Sequence, residues 1–349
     1  MRQKFDFPTL FLILAIGGLS LLILFAINRQ LYASQLIFWI IGILVFYIGS
    51  RIDHKSLAKI AVPFFVLSIF SLLILLKIGE PVRGSIRWID IGVFRFQPSE
   101  IAKISTILFL SSFFYNRSAA VLKNALTSLG LILIPALLVF KEPDLGNALS
   151  ILAIWLGMVL VAGFRPKHIL GLLLATLFIA FLGFEILSPY QKTRIESFLD
   201  PQKDPLGTGY NVIQSQIAVG SGGIFGRGLG RGSQSQLNFL PEAESDFIFA
   251  SLSEQLGLLG ATLLLGVYLL LFLRLIGFFY NQDRLAKLII SGTCSYLLFQ
   301  LTVNVGMNLG LLPVTGITLP LVSYGGSSLV STLFLLGIGF SIKKSRMLN

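Results

Sequence analysis

Charge is scarce in this chain. Asp, Glu, Lys and Arg make up 12% of its 349 residues, about half the share in a soluble globular domain. With 55% hydrophobic residues and a mean hydropathy of +0.85, too little polar surface remains to face water on every side. That balance excludes an ordinary water-soluble fold and makes the bilayer the solvent. Cysteine is nearly absent. Cys294 stands alone and permits no intrachain disulfide, so loops outside the membrane must be ordered by packing. Histidine is as rare. His54 and His168 lie in short connections far apart in sequence, which argues against a metal site built on them.

What is present is a net charge of +11. A nucleic-acid surface needs a basic strip with interleaved aromatics. Here the basic residues are scattered one or two per connection between apolar runs, so no nucleic-acid partner is expected. Ten apolar runs approach the roughly 20-residue spanning length: 8–27, 33–50, 57–77, 99–115, 124–140, 147–163, 169–188, 247–273, 286–309 and 326–342. The first is followed by Asn28-Arg29-Gln30 rather than a small-residue cleavage site, and it outruns a signal h-region, so it reads as a retained helix. With the N-terminus inside, the inner connections carry Arg2, Lys4, Arg51, Lys55, Arg117, Lys123, Arg165, Lys167, Arg274, Arg284, Lys287, Lys343, Lys344 and Arg346. The short outer ones carry Arg29 and Lys141. Short loops set topology, so the expectation is an all-α, N-in/C-in polytopic membrane domain over residues 1–349.

Two outer connections are longer. One, Ile78 to Pro98, holds Arg83, Arg87 and Arg95. The other is a large extracytoplasmic loop, 189–245, with Lys192, Arg194, Lys203, Arg227 and Arg231. Loops beyond about 15 residues without their own structure are usually functional or disordered. Apolar steps at Val212-Ile213, Ile217-Ala218-Val219 and Phe239-Leu240 suggest that this one folds back onto the membrane surface.

Charges in or at the ends of spanning helices are costly and mark candidate sites. Pro98 suits the first helical position, which sets Glu100 and Lys103 three apart on one face. They are either an ion pair closing the helix top, with Trp88 as interface anchor, or a polar wall for an anionic headgroup. In the second reading Lys103 and Arg87 face phosphate and Glu100 holds Lys103. Further on, Glu242, Glu244 and Asp246 stand directly before an apolar helix. The helix dipole favours acids there, so Asp246 is either a cap or a general base for a sugar hydroxyl. Glu254, eight residues deeper, needs a buried partner. The run Gly220 to Gly232 lacks the Gly-Lys-Ser/Thr ending of a P-loop and reads as a hinge with two arginines rather than a phosphate cradle. Gly310 to Ser328 is apolar but rich in Pro and Gly. It reads as a re-entrant turn flooring an outward-facing cavity.

Several of these segments, in this order and on a ten-helix chain, carry a resemblance. They are Arg87-Trp88-Ile89 with Gln97-Pro98-Ser99-Glu100, Glu142-Pro143-Asp144-Leu145-Gly146, Gly209-Tyr210 through Gly223, Ser233-Gln234-Ser235-Gln236, Leu240-Pro241-Glu242 to Ala250, and Pro320-Leu321-Val322-Ser323-Tyr324-Gly325-Gly326-Ser327-Ser328. Over nearly its whole length the chain resembles the SEDS family (shape, elongation, division and sporulation), its RodA branch before its FtsW branch. The resemblance implies a peptidoglycan glycosyltransferase of the bacterial cytoplasmic membrane, polymerising lipid II for cell elongation beside a class B penicillin-binding protein. It places the catalytic aspartate at Asp246 and substrate-binding positions at Arg87, Trp88, Glu100 and Lys103. Arg194, Gln214, Gln236 and Ser323 are the further substrate-binding candidates. It implies an inverting transfer. Asp246 takes the proton of the acceptor's 4-hydroxyl, and Lys103, Arg87 and loop arginines stabilise the departing pyrophosphate. A divalent cation, Mg or Mn, could share that role, though the sequence shows no dedicated site. Two departures stand out. Glu244-Ser245 replaces the family's usual His-Thr, and Gln255 replaces a glutamate. Repulsion from Glu244 favours a base that works best at higher pH. The rival readings are a transporter that flips lipid II, an FtsW-type division polymerase, and a scaffold for cell-wall enzymes.

Overall fold

A computed structural model describes residues 6–79, 87–91, 94–165, 168, 171, 189–205, 207 and 209–345. Its elements are α1 (Phe7–Ile27), α2 (Arg29–Gly49), α3 (His54–Ile78), β1 (Ile89–Ile91), β2 (Phe94–Phe96), α4 (Pro98–Tyr115), α5 (Leu122–Lys141), α6 (Leu145–Val161), α7 (Pro189–Leu199), α8 (Tyr210–Ser221), the single turn α9 (Ser233–Gln236), α10 (Ile248–Gly277), α11 (Arg284–Asn308) and α12 (Gly326–Ser345). Among the described residues, helices occupy nine of the ten expected spans, each within a few residues of its expected bounds. The expected span 169–188 falls, but for Gly171, outside the described residues, as do Arg83, Lys167, Arg2, Lys4 and Arg346. Among the described residues, seven helices are long and apolar enough to cross a membrane: α1, α2, α3, α5, α10, α11 and α12. Helix α6 is apolar but only 17 residues long. The outward faces are greasy, with Phe11 70% and Leu67 65% exposed, as a lipid-facing surface requires.

Two features differ from expectation. The connection 78–98 contains a short antiparallel hairpin, with Ile89 opposite Phe96 and Asp90 opposite Arg95. The segment 189–245, expected as a loop, is built around α7, α8 and α9, with a 3₁₀ turn at Pro201–Lys203.

The chain divides into two compact units assembled from segments distant in sequence. The first comprises Met1–Arg51, Arg194–Tyr280 and Leu297–Asn349; the second comprises Ile52–Thr193 and Asn281–Tyr296. Helix α11 thus gives its first half to the second unit and its remainder to the first.

In the first unit, α2 packs along α12. The two backbones approach so closely that a Cβ on Gly337 would lie 2.4 Å from the Phe46 carbonyl oxygen. Small residues allow such contact in membranes, where dispersion and close packing replace the hydrophobic drive between helices. The segment 310–325 has no regular structure, yet Ile317, Leu319, Leu321 and Val322 in it are buried. Its carbonyls are taken by side chains of the same unit. Ser20 Oγ donates to Val322 O at 2.6 Å, Gln35 Nε2 to Ser323 O at 3.2 Å, and the Tyr268 hydroxyl to Pro320 O. Irregular backbone covered and satisfied by protein is what membrane depth permits.

The glycine-rich run is neither cradle nor hinge. Helix α10 breaks at Gly257, where φ is 68° and ψ −166°. The break frees two carbonyls above it and two N–H groups below it. The run supplies all four partners. Arg227 N–H donates to Glu254 O and Gly228 N–H to Gln255 O, while Leu258 and Leu259 N–H donate to Gly223 O and Ile224 O. Gly230 N–H adds a bond to Gln255 Oε1 at 2.9 Å. These amides are spent on the helix, so they cannot cradle phosphate. A Cβ at Gly226 would stand 2.2 Å from Gln255 O, so the clasp closes only on glycine.

In the second unit, α3, α4, α5 and α6 pack side by side. His54, at the start of α3, sits between Asp53 and Asp283, with ring nitrogens 3.2 and 3.3 Å from their carboxylates. That contact ties α3 to the start of α11.

Candidate active site

The candidate residues fall into two groups, one in each unit. Asp246, Arg194, Gln214, Gln236 and Ser323 belong to the first; Arg87, Trp88, Glu100 and Lys103 belong to the second.

Asp246 is half-buried and lies just before α10. The helix cap falls one residue later, at Phe247, which has no side-chain cap bond. Three successive backbone carbonyls here are gripped from elsewhere in the same unit. Tyr324 N–H donates to Glu244 O at 2.8 Å, and Ser323 Oγ to Ser245 O at 2.6 Å. Asn304 Nδ2 and Asn308 Nδ2 both donate to Asp246 O at 3.0 Å. Helix α10 starts here because its first amides find partners. Ala250 N–H donates to Asn308 Oδ1 at 2.9 Å, satisfying one of the donors that a helix N-terminus leaves open.

Ser323, expected at the substrate, also accepts from Leu319 N–H at 2.8 Å, so its hydroxyl is engaged in holding this backbone. Gln236 donates from Nε2 to Ala26 O at the end of α1. Arg194 Nη1 donates to Val314 O at 3.0 Å, and Gln214 lies half-buried on α8. Glu254 has the partner it needed. It is fully buried and accepts from Gln234 N–H at 2.8 Å, Ser235 N–H at 3.0 Å and Ser235 Oγ at 2.8 Å.

The second group centres on the junction between α5 and α6. Asp144 begins α6 and accepts from Asn147 N–H at 3.2 Å, the ordinary capping bond of an aspartate. Asn147 Nδ2 donates to Asp144 Oδ2 at 2.8 Å, and Gln97 Nε2 donates to the same oxygen at 3.3 Å. Lys103, wholly buried, donates to Glu100 Oε1 at 2.7 Å and to Asn147 Oδ1 at 2.9 Å. Its ammonium also stands 4.9 Å from the Tyr296 ring centroid. The ion pair expected from the three-residue spacing is present, enclosed within the unit rather than at a surface. Arg87, 14% exposed at its side chain, donates from Nη2 to Pro143 O at 2.6 Å, with Nε 3.8 Å from Asp144 Oδ2. Trp88 is half-buried beside it in sequence.

Glu142 has an unusual setting in this cluster. It is fully buried, and neither carboxyl oxygen has a hydrogen-bond partner among the described residues. Burial, with the Asp144 carboxylate adding to it, pushes its pKa from 4.5 up to about 9, against a downward pull from Arg87. At neutral pH Glu142 therefore holds a proton.

Among the described residues, no group of three or more His, Cys, Asp or Glu side chains converges as a metal site. Asp144 and Glu254 accept from donors of the chain itself, and Glu100 pairs with Lys103. Asn304, Asn308 and Asn147 were not singled out from the sequence, and Glu142 was named there only within a motif of the resemblance. Asn304 and Asn308 carried one usable signal: amides four apart on an otherwise apolar helix share a face and need polar partners in lipid.

The chain as a whole is similar to known proteins. A family model described as a cell cycle protein, covering FtsW, RodA and SpoVE, matches residues 7–347. The chain is 40% identical over 309 residues to the peptidoglycan glycosyltransferase MrdB of Escherichia coli strain K12, covering 87% of this chain and 83% of that relative. It is 32% identical over 428 residues to the peptidoglycan glycosyltransferase RodA of Treponema pallidum strain Nichols, covering 99% of both. Among solved structures it is similar to the rod shape determining protein RodA of Thermus thermophilus, with a TM-score of 0.75 at 30% identity over 99% of this chain and 98% of that one. It is also similar to a chain from a structure on coordinated polymerization and crosslinking by a peptidoglycan synthase complex, with a TM-score of 0.85 at 35% identity over 99% of both chains. Matched from end to end in sequence and in fold, this multi-pass membrane protein belongs to the FtsW/RodA/SpoVE family.

Proposed function

We propose that this chain is a peptidoglycan glycosyltransferase. It polymerises lipid II on the outer face of the bacterial cytoplasmic membrane and serves cell elongation. The observation that carries this reading is the end-to-end likeness to relatives named peptidoglycan glycosyltransferases, MrdB and RodA among them. The site chemistry agrees with it. Asp246 is a half-buried carboxylate on a backbone held at three successive carbonyls. It is the proposed general base. It takes the proton from the acceptor's 4-hydroxyl, and that oxygen forms a bond to C1 of the growing strand. The C1–oxygen bond to the pyrophosphate breaks as this happens, with inversion at C1. In the second unit, Arg87 is the proposed contact for pyrophosphate charge. Lys103 and Glu100, enclosed as they are, are proposed to hold Asn147 and Asp144 in place around it. Trp88, Arg194, Gln214, Gln236 and Ser323 remain proposed substrate-side positions.

A divalent cation, if the reaction uses one, is proposed to ride on the substrate's own phosphates. A class B penicillin-binding protein is the proposed partner, supported by the likeness to a chain of a synthase complex that couples polymerization to crosslinking.

The reading from another class is a lipid II flippase. Its support is the irregular buried segment 310–325 and the enclosed charges of the second unit, features that transporters share. Two assays on the purified protein with its partner separate them. Glycan strands formed from lipid II support the polymerase. Headgroup translocation in liposomes without strand formation contradicts it.

A further inference from the structure

We infer that Asn304 and Asn308 are positioning residues for Asp246. This rests on the reading of Asp246 as the general base. The two amides lie one turn apart on α11 and are fully buried. Both donate a hydrogen bond to the Asp246 carbonyl oxygen, each at 3.0 Å. Each also donates to a second carbonyl. Asn304 bonds Ile317 O in the irregular segment at 2.7 Å, and Asn308 bonds Asn304 O at 2.7 Å. Asn308 also turns its oxygen to Ala250 N–H at 2.9 Å. One residue thus grips the backbone carbonyl of Asp246 and the first turn of the helix that follows it.

The carboxylate hangs from the Asp246 Cα, and the backbone around that atom is held from both sides. Ser245 and Glu244 are held by Ser323 and Tyr324, and Asp246 by the two asparagines. A base must lie within hydrogen-bond reach of the proton it takes, and a misplacement of about 1 Å can cost 100-fold in rate. The asparagines touch no reacting atom. They act through the backbone of Asp246, so their loss falls on the chemical step rather than on substrate capture.

The test uses the purified full-length chain with its partner and lipid II. The variants are Asn304→Ala, Asn308→Ala, Asn308→Asp and Asp246→Asn, each checked by thermal unfolding in detergent. Asn308→Asp keeps an acceptor for Ala250 N–H and loses the donor to Asp246 O, so it separates the helix cap from the grip on the base. The expected result is a fall in kcat of about 10- to 100-fold for the asparagine variants, with KM within about twofold and an altered pH–rate profile. Wild-type kcat in folded Asn304→Ala and Asn308→Asp, beside an inactive Asp246→Asn, overturns the positioning role and leaves the base assignment standing. Activity that falls only in step with the folded fraction, with an unchanged pH profile, also overturns it. An active Asp246→Asn removes the base assignment itself, and the positioning role with it.

Discussion

Glu142→Gln is expected to stabilise this protein, and to do so only above acidic pH. Glu142 is buried without a hydrogen-bond partner among the described residues, and its pKa is raised to about 9 from an ordinary 4.5. The folded chain keeps the proton through the window between those values; the unfolded chain has lost it. Folding then takes up a proton throughout the window, so stability is fully present below pH 4.5 and declines as pH rises toward 9. The slope is about 1.4 kcal/mol per pH unit for a single such group. At pH 7 the wild-type carboxyl costs roughly 3 kcal/mol on that basis, and a detergent-bound unfolded state that half-shields the group reduces this toward 1. Glutamine has nearly the same shape and is neutral at every pH. The assay is thermal unfolding of both proteins in the same micelles at pH 5, 6.5 and 8. The two midpoints should lie close together at pH 5, and the variant should lead by several degrees at pH 8. Parallel curves across the range, or a variant that is less stable at pH 8, would refute a buried neutral carboxyl at this position.

Lys103→Met should leave Glu100 buried without its cation and cost about 3–5 kcal/mol, measured by unfolding; adding Glu100→Gln should recover most of that loss. Gly226→Ala should cost roughly 2–4 kcal/mol, because its Cβ would meet Gln255 O at 2.2 Å and Gly257 N at 2.7 Å at a backbone φ of +81°. An alanine variant that melts with wild type would contradict the clasp. Glu244→Gln should move the pH–rate profile of polymerisation toward lower pH, since it removes a negative charge two residues from the proposed base. An unmoved profile would show that Glu244 does not act on Asp246.

The spans were legible because an apolar run of about 17 or more residues has few alternatives to a membrane helix. The Glu100–Lys103 pair was legible for a similar reason: a three-residue spacing on a helix places the side chains together. The clasp was not. Nothing local announces that Gly257 leaves the helical region, and the partners that repair the break lie some 30 residues upstream. The hairpin 89–96 was also missed, since strands of three residues are too short to show an alternating pattern. At the candidate site, the acids were readable by type and position. Their supports were not, because Asn304 and Asn308 sit in a run whose hydropathy hides single amides. Gln236 and Ser323 were legible as polar positions, but not the backbone carbonyls of Ala26 and Ser245 that their side chains meet. Sequence shows that a polar group is present, and only the fold shows which backbone group it meets.

The base assignment at Asp246 is tested most directly by one substitution in vitro. The purified chain carrying Asp246→Asn, combined with its partner and lipid II, should be folded by its melting curve and should form no glycan strands above background. Strand formation at the wild-type rate would contradict Asp246 as the base.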